Sequence, residues 1–197
     1  MSRQGILFVI SGPSGVGKGT IREALMAKMP NIQISISATT RPARVGEIEG
    51  QDYFFISREK FQELIAQDEF LEWANVYSNL YGTPRNFVQQ NLDNGQDVLL
   101  EIDIQGALQV KEKMPDGVFV FLAPPSVEEL TYRLVARGKD SQSSIEERLK
   151  ACRAEMSHIN KYDYVVINDD IDEAVRKTEA IIIAERCKVK NIKYEVN

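Results

Sequence analysis

The sequence predicts an α/β fold: a three-layer core around a parallel sheet, with one inserted α+β subdomain and a helical lid. Three observations carry that expectation. Residues 5–10 form a continuous apolar, β-rich run, the pattern of a strand buried on both faces of a parallel sheet. A glycine-rich turn over 12–19 follows at once and leads into a helical segment. Three more short apolar segments, 98–103, 118–122 and 164–167, then alternate with helical ones.

Taken in order, the first helix is expected over 20–29, where Pro30 stops it. The stretch 31–85 reads differently, with short strands at 33–37 and 52–56. A small helix at 57–66 places Phe61, Leu64 and Ile65 on one face. A helix over 87–92 ends at Asn94-Gly95, and another over 106–113 ends before Pro115. Ser126 with Glu129, and Ser144 with Glu147, have the capping-box spacing that starts helices. The polar stretch 138–144 between them is expected to be a mobile loop. The last helix, 172–185, aligns Ala174, Val175, Thr178, Ile181 and Ile182. The chain 1–197 thus reads as one domain: a core of about 1–35, 87–125 and 158–197, an insertion of about 36–86, and a lid of about 126–157. Trp73, Phe119 and Phe121 are expected in the core.

With 197 residues, 43% hydrophobic and 27% charged, the chain has the make-up of an ordinary globular protein. Its 24 Lys+Arg against 29 Asp+Glu give a net charge of −5, which speaks against broad binding of nucleic acid or an anionic membrane. No apolar run is long enough to span a bilayer, and residues 1–5 lack the features of a signal peptide. Two cysteines, Cys152 and Cys187, without Cys-x-x-Cys spacing fit a reducing, cytoplasmic setting. A single histidine, His158, expected as a partly exposed helix residue, removes most Ser/His/Asp and histidine-metal schemes.

The segment Gly12-Pro13-Ser14-Gly15-Val16-Gly17-Lys18-Gly19-Thr20 meets the G-x-x-x-x-G-K spacing of a phosphate-binding loop. Glycines let backbone N–H groups turn toward a polyphosphate, the helix N-terminus adds its dipole, and Lys18 adds a point charge. Gly19 stands where the strict pattern has Ser or Thr. Thr20 is therefore the candidate hydroxyl for Mg²⁺, directly or through water.

A second anion site is written into the insertion. Arg41 and Arg44, three apart in a Pro/Gly loop, can fork around one phosphate, with phenolic donors from Tyr53 and Tyr81. Glu72, among aromatic residues, can accept from the N1–H and N2–H₂ edge of guanine, which adenine does not present. Asp103, at the end of its strand, is well placed for Mg²⁺ or the acceptor, or else caps the next helix.

Together with these, the ordered motifs GPSGVGKGT, SATTRPARVGE, DYFF, FLEWA, YGTP, LLEIDIQG, FLAPPS, RLVARG and VINDD resemble guanylate kinase, a P-loop nucleoside monophosphate kinase. The resemblance runs from Ile10 to about Glu185. It implies ATP-dependent phosphorylation of GMP and dGMP, with Mg²⁺, in a monomer or homodimer. It also implies residue roles. The loop Gly12–Thr20 would hold ATP, with Asn168 and Asp169 near the adenine. Arg41, Arg44, Tyr53 and Tyr81 would hold the GMP phosphate. Ser37, Glu72, Thr83, Glu101 and Asp103 would read the guanine or its surroundings. Arg137 and Arg148 would close from the lid, joining Lys18, Arg41 and Asp103 in catalysis. Thr83 keeps the hydroxyl of a Ser found in some members, and Glu101 is a longer acid than the Asp of others. Two other readings remain: a non-catalytic phosphopeptide-binding module of the same fold, and a related kinase with another phosphorylated acceptor.

Overall fold

Five parallel strands in the order β10-β9-β2-β8-β3 form the central sheet of the computed structural model. It describes residues 2–76, 78–126, 128–130 and 154–193. In chain order the elements are β1 (Ser2–Arg3), β2 (Leu7–Ser11), α1 (Lys18–Lys28), β3 (Gln33–Ile34), β4 (Ala38–Thr39), β5 (Phe54–Phe55) and α2 (Arg58–Ala66). Then follow β6 (Phe70–Val76), β7 (Asn79–Pro84), α3 (Arg85–Asp93), β8 (Val98–Glu101), α4 (Ile104–Lys113) and β9 (Val118–Ala123). The chain closes with β10 (Tyr164–Ile167), α5 (Ile171–Arg186) and β11 (Ile192–Lys193).

Strand β2 explains its own sequence. All five of its residues are buried, because successive side chains enter opposite helical layers. Ile6, Phe8 and Ile10 pack with Ile21 and Leu25 of α1 and Val175 and Ile182 of α5. Leu7 and Val9 pack with Val88 and Leu92 of α3 and Ala107 and Val110 of α4. Each such Val, Leu, Ile or Phe side chain contributes about 1.5–3 kcal/mol on burial. Phe119 and Phe121 are buried too, as expected.

From β2 the chain crosses through α1 to β3 on one side of the sheet, whereas β8 crosses through α4 to β9 on the other. That reversal leaves a crevice at the carboxyl ends of β2 and β8, where the phosphate-loop sequence and Asp103 lie.

Helix α1 begins at Lys18, two residues earlier than expected, because Gly17 at φ 99° turns the loop straight into it. The strand expected at 33–37 divides between two sheets. Gln33–Ile34 pairs with β8, and Ala38–Thr39 starts a second sheet, ordered β5-β4-β7-β6. Strand β8 stops at Glu101, since Asp103 caps α4 by accepting from Gly106 N at 2.7 Å.

The β6–β7 hairpin was absent from the sequence expectation. A bulge between Phe70 and Glu72 buries Phe70, Leu71 and Glu72 in succession and destroys the alternation that signals a strand. Past the bulge the acid faces inward and the indole outward. Trp73 is 40% exposed, which corrects its assignment to the core. Helix α2 covers this sheet, with Phe61 stacked on Phe70 at 4.4 Å.

Ser126 Oγ accepts from Glu129 N at 3.0 Å, as the capping spacing predicts. Arg137, Arg148, Ser144, Glu147, Cys152 and the stretch 138–144 lie outside the described residues.

Candidate active site

The glycine loop joins β2 to α1 and closes over its own lysine. Lys18 Nζ donates to Gly12 O at 2.6 Å and to Pro13 O at 3.3 Å. Burial lowers the lysine's pKa, while Glu101, Glu155 and Asp103 act against that. These three acids, with Thr20 and the loop, line a cavity of about 380 Å³. Asn168 sits beneath the loop, 2% exposed, and donates its Nδ2 to Val16 O at 2.7 Å. A β-carbon on Gly17 would come within 2.7 Å of that nitrogen, so loop and asparagine fit only with glycine there.

A second cavity of about 680 Å³ opens between α1, β3 and the insertion, lined among others by Arg22, Ser37, Asp52 and Tyr53. Glu101 lines both cavities, so the two share a wall. Arg22 reaches Glu101 at 3.3 Å.

Arg41 lies over the rings of Tyr53 and Phe55, at 5.3 and 5.8 Å from their centres. Its fork engages both oxygens of Glu47 at 2.8 and 2.9 Å, and Glu47 also accepts from Arg44 N at 2.7 Å. Bonding to Arg41 holds the Glu47 carboxyl at about 2 and raises the guanidinium further above its ordinary range. Tyr53 meets Tyr81 edge to face at 5.9 Å. Arg44 stands exposed in the same loop.

Glu72 is the buried acid of the insertion, 7% exposed. Its Oε1 accepts from Thr83 Oγ1 at 2.6 Å. Burial drives its pKa up to about 7; the Thr83 bond opposes this and the nearby Asp103 adds to it. A carboxylate so poorly solvated gains strongly from a ligand that brings donors.

The expected residues thus fall into four groups. Lys18, Thr20, Glu101 and Asp103 share the loop cavity; Ser37 and Tyr53 line the second; Arg41 and Arg44 gather on Glu47, with Tyr81 against Tyr53; Glu72 and Thr83 pair near Asp103. Asn168 braces the loop from beneath, and Asp169 is exposed beside it. Three participants escaped the sequence reading. Glu47 holds Arg41, Arg22 holds Glu101, and Glu155 lies against the loop with a hydrogen bond from the Ser14 backbone. The short spacing of Glu47 from Arg41 could have flagged the first. Glu155 is far from the loop in sequence and gave no signal. Thr20, Glu101 and Asp103 are hard oxygen donors, and that donor set fits Mg²⁺.

Comparison with known proteins agrees along the whole chain. A family model described as "Guanylate kinase" matches residues 4–185. A protein of that name from Syntrophomonas wolfei is 67% identical over 98% of each chain. Another from Caldanaerobacter subterraneus is 57% identical over 96% of this chain and 92% of its own. The crystal structure of guanylate kinase from Anaplasma phagocytophilum aligns with a TM-score of 0.76 at 39% identity, covering 96% of this chain and 90% of that one.

Proposed function

The chain belongs to the guanylate kinase family and catalyses ATP-dependent phosphorylation of GMP; on that premise we propose how its residues divide the work. ATP lies on the loop Gly12–Thr20, with Lys18 released from Gly12 O and Pro13 O to meet the β/γ-phosphates. Asn168 keeps the loop's carbonyl at Val16 turned inward. GMP, or dGMP, enters the second cavity. Arg41 and Arg44 take its phosphate with Tyr53 and Tyr81, and Ser37 and Glu101 flank it. Glu72 accepts from the guanine N1–H and N2–H₂, while Thr83 fixes the carboxylate's orientation. Arg137 and Arg148 complete the charge neutralisation from the lid.

The acceptor oxygen is already anionic near neutral pH, so no protein base is needed. What must be overcome is the repulsion of two polyanions, and positioned cations do that. Thr20, Glu101 or Asp103 would hold Mg²⁺, directly or through water, and the bound ion would supply further charge neutralisation. The reading also assigns the enzyme to the cytoplasm.

The observation that carries the acceptor assignment is the buried, Thr83-held Glu72, close enough to feel the charge of Asp103, which lines the phosphate-loop cavity. Coupled ADP-release assays with GMP, dGMP, AMP, UMP and dTMP test it. GMP and dGMP should be strongly preferred; equal turnover of the other nucleotides would overturn the site assignment.

A further inference from the structure

Helix α4 belongs to the core layer, yet it touches the insertion beside Glu72, where base reading would occur. A β-carbon built on Gly106 would stand 2.9 Å from Glu72 Oε2, 3.2 Å from its Cδ and 3.3 Å from its Cγ. The Glu72 carboxylate therefore lies against a bare patch of helix, with Thr83 gripping its other oxygen. The backbone of Gly106 is itself fixed, because its N–H donates to Asp103 Oδ1.

One turn further along the same helix face, Gln109 grips the strand that carries Glu72. Its Oε1 accepts from Trp73 N and its Nε2 donates to Trp73 O, both at 3.2 Å. A side-chain amide thus pairs with an edge strand's backbone as a neighbouring strand would, at the residue next to Glu72.

We propose that Gly106 and Gln109 are positioning residues for guanine selection: the missing side chain of one admits the Glu72 carboxylate, and the amide of the other sets the strand that presents it. The inference rests on Glu72 reading the base. Glycine inside a helix is otherwise a disadvantage, since alanine is the better helix former. Its presence in the first turn of α4, against Glu72, is explained by the space the carboxylate occupies.

The test compares Gly106→Ala, Gln109→Ala and Glu72→Gln in the full-length enzyme, measuring kcat and KM for GMP, AMP and ATP together with melting temperature. Gly106→Ala should raise the KM for GMP about tenfold and lower GMP-over-AMP discrimination comparably, because a displaced carboxylate no longer meets both donors. Its KM for ATP should stay within about twofold, since the phosphate loop is untouched. Gln109→Ala should raise the KM for GMP by about threefold with the same split. Combined with Glu72→Gln, Gly106→Ala should add nothing more, because both remove one contact. Equal losses in GMP and ATP handling with a lowered melting temperature would show a merely structural glycine and overturn the proposal. So would wild-type GMP kinetics in Gly106→Ala beside impaired Glu72→Gln, which would leave the guanine assignment standing. Unchanged kinetics in Glu72→Gln would sink the assignment and this inference together.

Discussion

The two anion-binding regions are built on opposite plans. The loop between β2 and α1 is one continuous stretch of main chain, glycines and a single lysine, set at the carboxyl end of a strand buried on both faces. The acceptor region is made of side chains from separate places: Arg41 and Glu47 in a loop, Tyr53 beside β5, Glu72 on β6, and Tyr81 and Thr83 on β7. A site of backbone amides needs a local conformation, and five parallel strands enforce that. A site of side chains needs every donor and acceptor to be held by another residue. Glu47 holds Arg41, Thr83 holds Glu72, and Gln109 holds the strand. The first plan tolerates little change at its glycines; the second spreads its dependence over many partners.

That contrast predicts a graded series of losses. Lys18→Ala should be the most severe, with kcat down about 10³-fold because the lysine serves the transferring phosphoryl group, and with only the small drop in melting temperature that losing its bonds to Gly12 O and Pro13 O brings. A turnover near wild type would remove the lysine from its role and break the contrast. Glu72→Gln should cost about thirtyfold in GMP over AMP discrimination, since the amide can turn a donor toward N1–H. Steady-state kinetics with both acceptors read it out.

Asn168→Ala tests whether the loop is as self-contained as it looks. Loss of the bond to Val16 O should raise the KM for ATP about tenfold while GMP binding changes little. If GMP suffers equally, the two regions are coupled through the loop.

The pH profile separates them again. Glu72 carries its proton up to about 7 because burial disfavours the charged form. Only the ionised form accepts from guanine, so between pH 8 and 6 the KM for GMP should rise toward acid, approaching about tenfold per unit below 7. The profile should flatten in Glu72→Gln. The sign for stability is opposite: with its folded pKa above the unfolded value, the free enzyme binds the extra proton only when folded. Its contribution to stability therefore falls as pH rises from the ordinary carboxylate range through about 7. Chemical denaturation across that range checks it. Smallest of all, Glu47→Ala should raise the KM for GMP about threefold, because the pair only orients Arg41 near the surface.

Much of this was legible beforehand. The run at 5–10, the loop from Gly12 to Thr20 and the strand at 164–167 follow from local chemistry, and β10 begins and ends where the apolar run does. Capping at Ser126 is equally local, as its side chain accepts from the N–H three residues on. The hairpin β6–β7 was not legible, because the bulge between Phe70 and Glu72 puts three successive residues inside. The exposure of Trp73 follows from the same bulge. Nor could spacing show that Gln33–Ile34 joins the parallel sheet while Ala38–Thr39 joins the other, since short strands are claimed by whichever edge is near.

The sequence by itself determined the class of fold, the phosphate loop and the residue types of the acceptor site. Each depends on periodicity, glycine placement or an ordered motif, and these survive without knowledge of distant neighbours. Only the tertiary structure decided that Asn168 supports the loop, that Glu155 and Glu101 face Lys18, and that Glu72 rests against Gly106. Those contacts join residues far apart in the chain. Burial, which moves the protons of Glu72 and Lys18, is a property of the packed whole and is written in no single segment.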